Sequence, residues 1–151
     1  MEAAATSAAP AAKPPTWYWV AAVIALLWML IGVAAWTADL MTDEAALAQM
    51  SEAQRQLYEA RPQWVFAIYA IAIFSGLAGA IGLLVRKAWA TLAFTVSLIA
   101  IVLQFGYTFG PMKAVQVLGA AAAVPFPLVI FLLGVLWLWL ARHAQKSGWL
   151  S

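Results

Sequence analysis

Residues 61–109 read RPQWVFAIYAIAIFSGLAGAIGLLVRKAWATLAFTVSLIAIVLQFGYTF, two long apolar runs parted only by Arg86-Lys87. Each run meets the ~20 residues that cross a ~30 Å hydrocarbon core, so the pair predicts a transmembrane helical hairpin. Pro62 suits the first turn of a helix, where its missing N–H is harmless, and Trp64 and Trp89 suit the headgroup level. Between Val65 and Val85 stand eleven Leu, Ile, Val or Phe residues, contributing roughly −3 to −6 kcal/mol to insertion. Ala72, Gly76 and Ala80 recur every fourth residue, and Ser75 with Gly79 makes a second such pair. Small residues at that spacing let two helix backbones approach closely, within the chain or between copies of it. In the second arm Ala93, Ser97, Ala100, Gln104 and Tyr107 fall on one small, polar side, opposite Leu, Ile, Val and Phe.

The rest of the chain extends this reading to an all-α, integral membrane four-helix bundle. With 66% hydrophobic and 9% charged residues, it lacks the roughly 25% charge that clothes a soluble domain. A first span is expected over residues 17–36, opening with Trp17-Tyr18-Trp19, and a last one over about 123–141, where Pro125 and Pro127 predict a kink. The single membrane domain then covers residues 16–142, with spans at 17–36, 64–85, 89–109 and 123–141. Residues 1–15, rich in Ala and Pro, read as a disordered tail, and 143–151 as a second tail. A cleaved signal peptide is the rival for the first span, since Lys13, the apolar run and Val33-Ala34-Ala35 match its outline; the length of the run and its tryptophans favour a retained helix.

Residues 39–62 break the pattern by holding five of the six acidic residues, with Arg55 and Arg61. Leu40, Leu47, Met50, Leu57 and Tyr58 recur at helical spacing, and Ser51 or Thr42 offers a cap, so an amphipathic helix or helical pair outside the bilayer is expected. It serves as a lid on the bundle or as a partner-docking surface. The short Arg86-Lys87 loop orients the whole. With it inside, Lys13, Arg86, Lys87, Arg142 and Lys146 are cytoplasmic against Arg55, Arg61 and Lys113 outside, so both termini face the cytoplasm.

Chemistry is sparse. No Asp, Glu, Lys, Arg or His lies within the four spans, which disfavours proton-coupled transport because that needs an intramembrane group able to change charge. Cysteine is absent and His143 is the one histidine, so no metal site, cofactor or catalytic residue is expected. The scattered basic residues exclude a nucleic-acid surface. What remains is a set of neutral groups, Trp28, Tyr69, Ser75, Ser97, Gln104 and Tyr107, as candidates to line a small pocket. In an antiparallel hairpin Tyr69 and Gln104 both lie roughly 8 Å from the midplane at ~1.5 Å per residue. Gln104 is therefore expected to bond Tyr69 or a carbonyl freed near Pro125, fixing register, or else to face a ligand such as a polyol, sugar, lipid headgroup or quinone ring.

Pro62, Trp64, Gly76, Gly79, Leu83-Leu84, Arg86-Lys87, Trp89-Ala90, Phe94, Ser97-Leu98, Gln104, Tyr107 and Gly148-Trp149-Leu150 carry a resemblance. Over about residues 40–150 the chain resembles a family of small bacterial four-helix membrane proteins that automatic naming often labels "sugar transporter". The resemblance implies four helices in an inner membrane and brings no catalytic or binding residues with it. The function expected is that of a non-enzymatic inner-membrane protein, surrounded by membrane lipid. It acts as an accessory or interaction subunit through helix–helix and outer-loop contacts with another membrane protein or as a homo-oligomer. The alternative is a small transporter of a neutral, sugar-like solute that works as an oligomer.

Overall fold

The computed structural model describes residues 12–151; the tail expected over 1–15 lies outside them for residues 1–11. Among the described residues the chain is helical throughout, in the order α1 (Thr16–Leu40), α2 (Glu44–Gln49), α3 (Glu52–Ala60), α4 (Gln63–Leu84), α5 (Trp89–Phe109), α6 (Ala114–Leu118), α7 (Ala120–Ala123) and α8 (Pro125–Lys146). Four segments, α1, α4, α5 and the α7–α8 run, are long and apolar enough to cross a membrane. Their outward faces are a belt of large apolar side chains such as Leu92, Ile99 and Leu132, far beyond the apolar patch a soluble monomer leaves uncovered.

The α4–α5 hairpin is the axis of the fold. Its turn is a Schellman motif: Lys87 N–H donates to Gly82 O at 2.8 Å and Arg86 N–H to Leu83 O at 3.2 Å, with Arg86 left-handed at φ 59°. Along the seam the small residues of α4 are taken up within the chain. A Cβ added at Gly79 would sit 2.9 Å from the Phe94 ring, at Gly82 2.8 Å from Ala90 Cβ, and at Gly76 2.7 Å from Met29 Sδ. Phe94 is only 2% exposed. It therefore belongs to the buried face of α5 rather than to the opposite apolar face expected for phenylalanine there, because Gly79 leaves room for its ring. One hydrogen bond joins the arms at mid-depth: Ser97 Oγ donates to Ala72 O at 2.7 Å.

The outer pair lies against this hairpin, α1 on α4 and α8 on α5, with no extensive backbone contact between α1 and α8. Each comes close through a glycine, Gly32 against Ile73 and Gly134 against Leu98 and Ile101. At the Arg86 end Tyr18 O–H donates to Leu83 O at 2.5 Å. The segment after α8 folds back instead of trailing. Gly148, left-handed at φ 74°, closes a second Schellman turn, Leu150 is buried, and Ser151 N–H donates to Arg86 O. The Arg86 guanidinium bonds Trp149 O at 2.8 Å and Ala12 O at 2.7 Å. That one side chain ties the hairpin turn to both flanking segments.

At the other end α2 and α3 form a cap. Asp43, not Thr42, caps α2 by accepting from Ala46 N–H, while Thr42 Oγ1 turns back to Ala38 O. Ser51 and Gln54 make a capping box on α3. Asp39 lies inside α1, three residues beyond the expected end of the first span, and accepts both arms of Arg61 at 2.8 and 3.1 Å. Arg61 also lies over the Phe66 ring at 4.9 Å. The kink expected in the last span falls at Val124, between α7 and α8; Pro125 and Pro127 themselves occupy the first turn of α8, where a missing N–H is tolerated.

Gly79→Ala should lower unfolding stability in detergent by about 1–3 kcal/mol, because the buried Phe94 ring must leave its rotamer. Adding Phe94→Leu should recover part of that loss, read by thermal unfolding of the single and double variants.

Candidate functional site

The two halves of the bundle are packed differently. In the Arg86 half Tyr18, Ala22, Ala25, Leu83, Ala90, Leu140, Ala141, Ala144 and Leu150 close into one core. The half beneath the cap is hollow, with a cavity of about 330 Å³ bounded by α1, α4, α5 and α8. This is within the size of small-molecule sites, ~300–1,000 Å³. Ile31, Ala35 and Phe126 line it and are exposed, which places its mouth sideways between α1 and α8, at the depth of the apolar belt.

Four of the six expected lining residues meet here: Trp28, Tyr69, Ser97 and Gln104. Ser75 does not, because its hydroxyl folds back on the Ile71 carbonyl of its own helix. Tyr107 does not either; it packs edge-on against Trp64 with ring centroids 4.7 Å apart, near the capped end. Ser97 is already engaged with Ala72 O. The expected Gln104–Tyr69 bond is not formed: among the described residues the Gln104 amide makes no hydrogen bond, and only its main-chain carbonyl is used, by Thr108 Oγ1. Both side chains line the hollow without bonding each other.

Trp137, close to the end of the span expected over 123–141, is 4% exposed and lines the cavity, while Trp139 on the other side of α8 faces outward. Its indole N–H has no partner among the described residues. Met29, Ile130 and Gly134 complete the lining near it. In the sequence, mid-span Gly32 and Gly134 were the available signal for where the flanking helices come close.

A second cavity of about 360 Å³ lies under α3, walled by Gln54, Leu57, Tyr58 and Arg61 above and by Val65, Thr108 and Leu118 below. Gln104 and Phe105 line both cavities. The second cavity is apolar too for most of its wall, with Gln54, Tyr58, Arg61 and Thr108 set into it. The acidic side chains of the described residues, Asp39, Asp43, Glu44, Glu52 and Glu59, lie elsewhere, on or beside the cap, and His143 is stacked on Trp139 at 5.2 Å; no three His, Cys, Asp or Glu gather among the described residues. The central chamber therefore offers van der Waals surface, a few neutral polar groups and no ionic charge. Comparison with protein-family models, curated proteins and solved structures finds no match to this chain.

Because Ser97 makes the interhelical bond and Gln104 makes none, the two should respond oppositely to removal. Ser97→Ala is expected to lower stability by about 0.6–1.7 kcal/mol, whereas Gln104→Leu should change it by less than about 0.5 kcal/mol or raise it. Unfolding curves of both variants in one detergent check this.

Proposed function

We propose that this is a non-enzymatic, multi-pass protein of a bacterial inner membrane that holds a neutral, mostly apolar small molecule within its bundle. The observation that carries the reading is the chamber of about 330 Å³, apolar apart from Tyr69, Ser97, Gln104 and the tryptophan edges. A sugar suits it poorly, since Ser97 is committed to Ala72 and the hydroxyls of a sugar would outnumber the partners left, each unpaired one carrying a desolvation penalty. A sideways mouth favours exchange with the lipid phase. The packed Arg86 half, filled by Tyr18, Leu83, Leu140 and Leu150, favours holding or handing on a ligand over passing it across the membrane.

An accessory role is compatible with this. Of the supports for a contact subunit, the small-residue face is occupied by Met29, Ser97 and Phe94 of the same chain, leaving the exposed edge of α3, with Glu52 and Glu59, as the surface for a partner. Orientation follows from charge: the hairpin turn with Arg86 and Lys87, and the ends of α1 and α8 with Lys13, Arg142 and Lys146, share one end. That end is assigned to the cytoplasm.

A neutral fluorophore, 1-aminoanthracene, should brighten on binding the purified protein in mild detergent and saturate. Ala35→Phe, which fills the mouth from an exposed position, should abolish the saturable component. A purely linear signal like that of empty micelles would rule the reading out. A reporter fused after Ser151 should be active in its cytoplasmic form; activity only in its periplasmic form would invert the topology.

A further inference from the structure

We propose that the two cavities are one site for a single uncharged amphiphile, its apolar end in the central chamber and its polar end beneath α3. The inference rests on the reading that the central chamber holds a ligand and adds which chemistry it takes and which way round it lies.

Three observations carry it. The chambers share the walls Gln104 and Phe105, so a molecule crossing that partition touches both. Their linings differ in degree: the lower is almost wholly apolar, with Met29, Ile73, Ile130 and Trp137, whereas the upper sets Gln54, Tyr58, Arg61 and Thr108 among apolar residues such as Leu57 and Leu118. The single ionic group in either wall, Arg61, already has both arms on Asp39 at 2.8 and 3.1 Å. A charged head would have to break that fork or lie beside a neutralised pair, so an uncharged polar head is the better match.

The polar groups fit such a head. Gln54 uses its carbonyl oxygen to cap Ser51 N–H at 3.0 Å, which leaves its amide N–H donors for a ligand hydroxyl. Thr108 Oγ1 donates to Gln104 O and its oxygen can still accept. At the partition the Gln104 amide, without a partner among the described residues, stands where an ester or ketone carbonyl would lie between head and chain. A monoacylglycerol has this order of parts: a diol, an ester carbonyl and a hydrocarbon tail.

Two monoacylglycerol probes test the proposal on the full chain in mild detergent, one with a diazirine in the acyl chain and one with it at the glycerol end, with adducts mapped by peptide mass spectrometry. The chain probe is expected on Trp28, Ile130 or Trp137 and the glycerol probe on residues 54–61. Gln104→Leu should lower labelling by both about threefold through loss of one hydrogen bond. Chain-probe adducts in the central chamber without glycerol-probe adducts on α3, or labelling unaffected by Gln104→Leu, overturn the proposal while leaving the central chamber as a binding site. Adducts confined to belt residues such as Leu92, Ile99 and Leu132 overturn both.

Discussion

The close approach of α4 and α5 is the constraint on which the rest of the structure depends. Within a bilayer, apolar surface gains nothing by leaving lipid for protein, so helices associate through packing and interhelical hydrogen bonds. Gly79 and Gly82 permit that packing, since a Cβ there would come within 2.9 Å of the Phe94 ring and 2.8 Å of Ala90 Cβ. The approach brings Ser97 Oγ within 2.7 Å of the Ala72 carbonyl and gives the Phe94 ring its place over Gly79. A left-handed Arg86 completes the hairpin in the fewest residues. That backbone state is unfavourable by roughly 1–2 kcal/mol for a residue with a Cβ, and the guanidinium bonds to Trp149 O and Ala12 O offset it.

From this axis follows the contrast between a solid half and a hollow one. Near Arg86, small residues on α1, α5 and α8, among them Ala22, Ala25, Ala90, Ala141 and Ala144, let the large side chains Tyr18, Leu83 and Leu140 interlock, and Leu150 folds in behind them. Toward the cap α1 and α8 each follow their own arm of the hairpin, without extensive contact between them. The bend at Val124 and the detour through α6 and α7 bring α8 in late. The space between is left to Trp28, Phe126 and Ile130 at its edges, and α3, pinned by the Arg61–Asp39 fork, roofs a second space above it.

Much of the framework was legible in the sequence because it is written in local terms. The third span is Trp89–Phe109 as read, since Trp89 follows a charged turn and Gly110-Pro111 ends the apolar run. Ser51, one of the two caps the sequence offered, caps α3. The misreadings share a cause. Asp39 reads as a loop carboxylate until Arg61, twenty-two residues on, pairs with it inside an extended α1. Phe94 reads as part of the outward apolar face of α5 until Gly79 makes room for its ring. Gln104 and Tyr69 match in depth, but depth says nothing of azimuth, and both line the cavity without bonding each other.

Length and hydropathy alone determined that four helices would be able to cross a membrane, where they turn and where charge is kept out, because each of these depends on a run of neighbouring residues and the solvent they meet. Only the tertiary structure decided which glycines touch which rings, that Arg86 gathers three segments, and that the half under α3 stays open. Those outcomes depend on the distances and rotations between helices far apart in the chain, and no periodicity within one helix encodes the face its neighbour will present.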